Sequence, residues 1–127
     1  MGKAQRTKGQ VAEREIAGML SAELGQVVER RLGQERDGGC DLIVETTAGE
    51  LAIQVKRVER ASVPAWLDQA VEDAGPDQLP VVAWRQSRRG WCVVMQFEDW
   101  CTLLREAMPV DSEPESVTRR FPEDFIS

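Results

Sequence analysis

From Gly9 to Leu24 the apolar residues Val11, Ala12, Ile16, Met19, Leu20 and Leu24 recur at three- and four-residue intervals, the spacing that lines up one face of an amphipathic helix. Gly25 predicts its end. Val27 and Val28 then open a short extended piece, and the run through Gly33, Gly38 and Gly39 predicts a loop or an irregular approach to a strand. DLIVE (Asp41 to Glu45) and LAIQVKRV (Leu51 to Val58), separated by the turn signal TTAGE, predict an antiparallel hairpin. SVPAWLDQAVEDAG predicts a second helix, with Pro64 in its first turn, Trp66, Leu67, Ala70 and Val71 on its apolar face, and Gly75 at its end. Leu79 to Trp84 and Trp91 to Phe97 are apolar enough for central strands and are joined by RQSRRG; a short helix over about Phe97 to Ala107 follows. The remainder has proline and acid but no sustained period, so residues 109–127 are expected to be a disordered tail or an extended arm beyond a single domain at 1–108.

The predicted strands bring chemistry together. Gln54 and Lys56, two apart, project to one face, while Ile53 and Val55 enter the opposite layer. A twisted hairpin carries Asp41, at the start of the upstream strand, toward the part of its partner that holds Gln54 and Lys56. Hydrolysis of a phosphodiester needs an activated water and stabilisation of charge on the phosphate and the leaving oxygen, and Mg²⁺ on oxygen ligands contributes to each. Mg²⁺ keeps several waters in an octahedron at roughly 2.0–2.1 Å, so one or two carboxylates and a carbonyl suffice. Asp41 and Gln54 offer such oxygens, Mn²⁺ is a natural substitute ion, and Lys56 is suited to orient the attacking water. Glu13, on the first helix beside a basic cluster, is within reach as a further ligand. The competing explanation of the same residues is a chance spacing with a solvated lysine.

Composition narrows the alternatives. With 127 residues and 42% hydrophobic content the chain suits one domain with a real core. It has no apolar run of membrane-spanning length, and MGKAQRTKGQ lacks the apolar middle of a signal peptide, so a cytoplasmic location is expected. There is no histidine, which excludes Ser-His-Asp and Cys-His catalysis and leaves carboxylates, amides and lysine. Cys40, Cys92 and Cys101 form no C-x-x-C pair and are expected to be reduced, Cys40 packing inward. The net charge of -6 argues against coating nucleic acid by charge alone. Residues 1–60, however, hold ten Lys or Arg against ten Asp or Glu, whereas the rest hold six against twelve. The first half is thus the better candidate for meeting a polyanion.

Four blocks, KGQVAERE (8–15), CDLIV (40–44), AIQVKR (52–57) and LPVVAWRQSRRGWCVV (79–94), occur in the order in which the chain resembles the archaeal-type Holliday junction resolvases, a branch of the PD-(D/E)XK nucleases. The resemblance implies an α/β fold of the restriction-endonuclease-like kind, a mixed β-sheet flanked by helices. It also implies a metal site formed by Glu13, Asp41, Gln54 and Lys56, action on DNA, and a two-fold homodimer. Junction resolution is the expected activity. The family has a carboxylate where this chain has Gln54, and neither Glu50 nor Glu45 replaces it. Each is four residues from the position it would have to serve, roughly 13 Å at a strand rise of about 3.3 Å. The Q-x-K-R reading resembles instead the site of Mrr-type restriction endonucleases, whose amide oxygen remains a permitted hard-cation ligand. A restriction-like or nicking nuclease on duplex DNA is therefore the alternative enzyme, and a DNA-binding module with a decayed site the alternative of another class. Restoring the acid with Gln54→Glu is expected to lower the Mg²⁺ needed.

Lys8, Arg14, Arg30, Arg31, Arg36, Arg57 and Arg60 flank the proposed ligands and are expected to supply phosphate contacts, with Lys3 and Arg6 extending a basic arm; solvated surface charge is the plainer explanation. For Arg85, Arg88 and Arg89 a solvated turn is expected. Trp66, Trp84, Trp91 and Trp100 are expected in core or dimer packing rather than base stacking, and Gln69 as a surface amide or a support behind the site.

Overall fold

The computed structural model describes residues 2–31 and 39–109, with side chains described from residue 9 onward. The first helix, α1, runs from Gly2 to Leu24, beginning earlier than the apolar period predicts because its leading turns are built of polar residues with no stripe to read. It stops at Gly25, whose φ of 67° lies in the left-handed region that costs a residue with a Cβ about 1–2 kcal/mol. Ser21 folds the chain back: its hydroxyl donates to Ala17 O at 2.8 Å and accepts from Val28 N at 2.8 Å. Arg30 then makes an isolated antiparallel bridge with Leu42. The stretch around Gly33 and Gly38 predicted as a loop, Arg36, and residues 110–127 of the expected tail lie outside the described residues.

Strands β1 (Leu42–Thr46) and β2 (Gly49–Arg57) form the expected antiparallel hairpin. Thr46 clamps its turn, donating to Gly49 O at 2.7 Å and accepting from Ala48 N at 3.1 Å. Helix α2 (Val63–Asp73) leads into β3 (Gln78–Arg85), which pairs with β2 in parallel; two parallel strands need such a crossover. The helix ends at Asp73, with Ala74 extended as its C-cap, so Gly75 is not the stop. Instead Gly75 N donates to Gln78 Oε1 at 2.8 Å and helps start β3. Strand β4 (Cys92–Met95) and helix α3 (Phe97–Ala107) complete the chain of elements.

The sheet order is β1-β2-β3-β4. The expectation that the last strand is central is corrected: β4 is a four-residue edge strand, with Cys92 exposed and Val93 67% exposed. Its pairing with β3 reaches only from Trp84 to Val81, and the next residue is Pro80, which has no N–H to offer another rung. Alternation along the strands assigns two layers. Ile16 and Ala17 of α1 pack with Val28, Leu42, Val44, Ile53, Val81 and Ala83 in one core cluster. On the other face Trp84 meets Trp66 of α2 edge-on, with ring centroids 5.4 Å apart, beside buried Ala52, Ala70 and Val82. No helix among the described residues is long and apolar enough to cross a membrane.

Candidate active site

Just before β1 begins, Asp41 grips the backbone of β2. Its backbone N–H donates to Ile53 O at 2.9 Å, and its Oδ2 accepts from Val55 N at 2.8 Å, so the residue is fastened on either side of Gln54 in sequence. The local cause is the neighbouring Leu42, which is fully buried and pins the start of β1. One oxygen of Asp41 thereby satisfies the Val55 N–H, which lies on β2 beyond the first residue of β1. Lys56 is half-buried two residues beyond Gln54 on the same face of β2.

Burial pushes the Asp41 carboxyl above the ordinary aspartate range; the Val55 N–H bond works against this, the Glu13 charge adds to it, and the Lys56 and Arg30 charges oppose it. Glu13 and Lys56 are thus both felt at Asp41, although they come from different elements. Glu13 accepts from Arg30 Nε at 3.1 Å, with both side chains mostly buried. The sequence-predicted Asp41, Gln54, Lys56 and Glu13 therefore form one neighbourhood, with Arg30 as its cationic wall.

The amide of Gln54 has a defined orientation. Its Nε2 donates to Gly39 O at 2.7 Å and to Asp73 Oδ2 at 3.3 Å. Asp73, at the end of α2, also accepts from Gln69 Nε2 at 3.0 Å. Sequence reasoning missed Asp73; the available signal was the spacing of Gln69 and Asp73, one helical turn apart on the helix that follows the Q-x-K strand. Glu50, which is remote in sequence spacing, is engaged elsewhere by Gln78 Nε2 at 3.1 Å.

The predicted basic residues are scattered. Arg31 is exposed and adjoins the site, its backbone N donating to Asp41 O at 2.7 Å; its charge partly offsets the burial that pushes the Cys40 thiol up. Arg57 alternates to the face opposite Gln54 and Lys56, bonded to Glu59 at 3.0 Å and Ser87 at 3.3 Å. There it lines a groove with Val11, Ala12, Glu15 and Arg85. Arg85 folds onto Glu15 at 2.7 Å, and Trp91 Nε1 donates to the same carboxylate at 2.6 Å. These bonds, with that of Trp91 foremost, hold Glu15 below the usual carboxylate range. Arg14 and Arg60 are exposed, while Arg36 and the side chains of Lys3, Arg6 and Lys8 lie outside the described residues. Cys40 is buried as expected, and Trp100 is 48% exposed.

Among the described residues no three Asp, Glu, His or Cys side chains cluster as a metal cage. The expected donors, the Asp41 and Glu13 carboxylates and the Gln54 amide, are hard oxygens of the kind that Mg²⁺ or Mn²⁺ accepts. These residues would fit such an ion by chemistry, and with Gln54 Nε2 engaged by Gly39 O and Asp73 Oδ2 the amide oxygen would be the end that faces it.

No curated protein matches this chain. The solved structure of Hjc, a Holliday junction resolvase from the archaeal hyperthermophile Archaeoglobus fulgidus, is similar over 69% of this chain and 72% of its own, with a TM-score of 0.53 and 25% identity. The mixed sheet flanked by helices is thus the restriction-endonuclease-like fold expected from the motifs. The family model described as "Phage putative PDDEXK endonuclease" matches residues 4–118. Coverage of this extent, on a fold shared with a resolvase and around an Asp41, Gln54 and Lys56 cluster, means that the chain belongs to that PD-(D/E)XK endonuclease family.

Proposed function

We propose that the chain is a divalent-metal-dependent endonuclease that cleaves branched DNA in the manner of a Holliday junction resolvase, in the cytoplasm and as a homodimer. The observation that carries the reading is the fastening of Asp41 between Ile53 and Val55, which sets its carboxylate beside Gln54 and within the charge field of Lys56 and Glu13. Asp41, Glu13 and the Gln54 oxygen would hold Mg²⁺ or Mn²⁺. When bound, the ion would supply Lewis-acid stabilisation of the phosphate and the leaving oxygen. Lys56 holds the attacking water by its ammonium and stabilises charge growing on the phosphate. Exposed Arg31 would take a flanking phosphate, Arg30 would do so only on leaving Glu13, and Arg14, Arg60, Lys8 and Arg36 would be further contacts.

The likeness to the Archaeoglobus fulgidus resolvase supports a junction substrate. The Gln54-x-Lys56-Arg57 run supports the second reading, a restriction-like or nicking nuclease on duplex DNA. Labelled four-way junction, flap and linear duplex, each titrated with Mg²⁺ and Mn²⁺, separate the two. The expected result is metal-dependent cleavage of the junction in preference to the duplex. Lys56→Ala and Asp41→Asn should each lower the rate by at least about 100-fold, the scale of losing an electrostatic catalytic group. Asparagine is the better probe at 41 because it still accepts from Val55. Cleavage at the normal rate by either variant refutes the site, duplex preference moves the assignment to the second reading, and binding without turnover identifies a decayed module.

A further inference from the structure

Gln54 stands where the resemblance leads to a carboxylate, and its surroundings account for the amide. Its nitrogen faces Gly39 O at 2.7 Å and Asp73 Oδ2 at 3.3 Å. A backbone carbonyl can only accept, so the end of residue 54 that meets Gly39 O must be the donor, and the oxygen is turned the other way. Asp73 is itself held by Gln69 Nε2 on its other oxygen, at 3.0 Å. A chain of hydrogen bonds therefore runs from Gln69 through Asp73 and Gln54 to the backbone of Gly39, next but one to Asp41.

We infer that Asp73 is a positioning residue for Gln54, orienting its amide oxygen toward a divalent cation and selecting an amide over a carboxylate at that position. The inference rests on the reading of Gln54 as a metal ligand. A carboxylate that accepts from an amide N–H draws positive character onto the nitrogen and leaves the amide oxygen more negative, and hence a better ligand. Asp73 thus supplies, one bond farther out, the negative charge that the family's acid brings directly. A glutamate at position 54 would set an anionic oxygen against the Gly39 carbonyl and the Asp73 carboxylate, and like charges this close oppose joint ionisation. The expectation that Gln54→Glu lowers the metal requirement is therefore reversed as long as Asp73 is present.

Mn²⁺ binding to the full chain without DNA tests this, read as loss of the free Mn²⁺ signal in electron paramagnetic resonance. Asp73→Ala should raise the Kd about tenfold, at the lower end of what removing a ligand's outer partner costs. Asp73→Asn removes the same charge but keeps an acceptor for Gln54, so its Kd should lie between those of the unmodified chain and of Asp73→Ala, raised about threefold. Gln54→Glu should bind more weakly than the unmodified chain. Combining it with Asp73→Asn should restore binding, because the asparagine nitrogen can donate to the new carboxylate. Unchanged affinity in Asp73→Ala, or a Gln54→Glu variant that binds more tightly alone and gains nothing from Asp73→Asn, overturns the inference. If Asp73→Ala loses its folded circular-dichroism spectrum, the Asp73→Asn and paired variants decide. An unmodified chain that binds no Mn²⁺, or binds it equally after Asp41→Asn, refutes the metal reading and the inference with it. Binding that is lost in Asp41→Asn but intact in Asp73→Ala refutes the role of Asp73 alone.

Discussion

Asp41 does two incompatible things at once. Its Oδ2 closes the backbone of β2 at Val55 N, a structural bond, yet burial makes its ionised form unfavourable. Because its carboxyl is raised in the folded chain, the stability tied to its protonated form is present below the ordinary aspartate range and is lost as pH rises through the raised value. At neutral pH the metal-free chain therefore carries a destabilising charge. Asp41→Asn, which removes the charge and keeps the acceptor, should raise the thermal midpoint at pH 7 by roughly 2–6 °C, the effect of about 1 kcal/mol at this size. The gain should vanish as the pH falls below the aspartate range, and a lower midpoint at pH 7 would count against the argument. Gain of stability on loss of a site residue is the usual mark of a group kept for function. Gln54 and Lys56 were legible from sequence because a spacing of two on a strand leaves no choice of face. Asp73 was not, since it reaches Gln54 across 19 positions by the docking of α2.

Among the elements, β1 joins the core to the site through one step of sequence. Leu42 is fully buried in the cluster under α1, and the next residue back is Asp41. Leu42→Ala should cost about 2–5 kcal/mol in urea unfolding, as core leucine truncations do, and should loosen the anchor of Asp41 as well. A loss below about 1 kcal/mol would mean that β1 can collapse onto the gap. The periodic helix and the hairpin at residues 41–58 could be read in advance, because a turn signal between two apolar runs fixes antiparallel pairing. The parallel pairing of β2 with β3 is a property of how α2 packs across the sheet. Likewise, an apolar run such as Trp91 to Phe97 does not reveal whether it lies at the centre or the edge; Pro80 on the neighbouring strand and the start of α3 at Phe97 decided that.

For the molecule as a whole, a net charge of -6 must coexist with a polyanionic substrate. Three arginines, Arg30, Arg57 and Arg85, are committed to Glu13, Glu59 and Glu15, so net charge understates how far the basic groups are already neutralised. Binding should therefore rely on few phosphate contacts. In sedimentation equilibrium with labelled four-way junction, two chains of 14.2 kDa should bind per junction. The affinity should fall with salt, and Arg31→Ala should reduce the logarithmic salt slope by about one. An unchanged slope removes Arg31 from the interface, and one chain per junction removes the dimer. The sequence by itself determined the chemistry that is possible here: without histidine, and with Gln54 and Lys56 held to one face by the two-residue period of a strand, carboxylate, amide and lysine chemistry remains. The tertiary structure decided which arginines adjoin that chemistry and which end of the Gln54 amide faces it. Those depend on layers packed from distant segments, Arg30 and Arg31 reaching the site through the bridge to Leu42 and the bond to Asp41 O and Asp73 brought in by α2, and no local spacing encodes them.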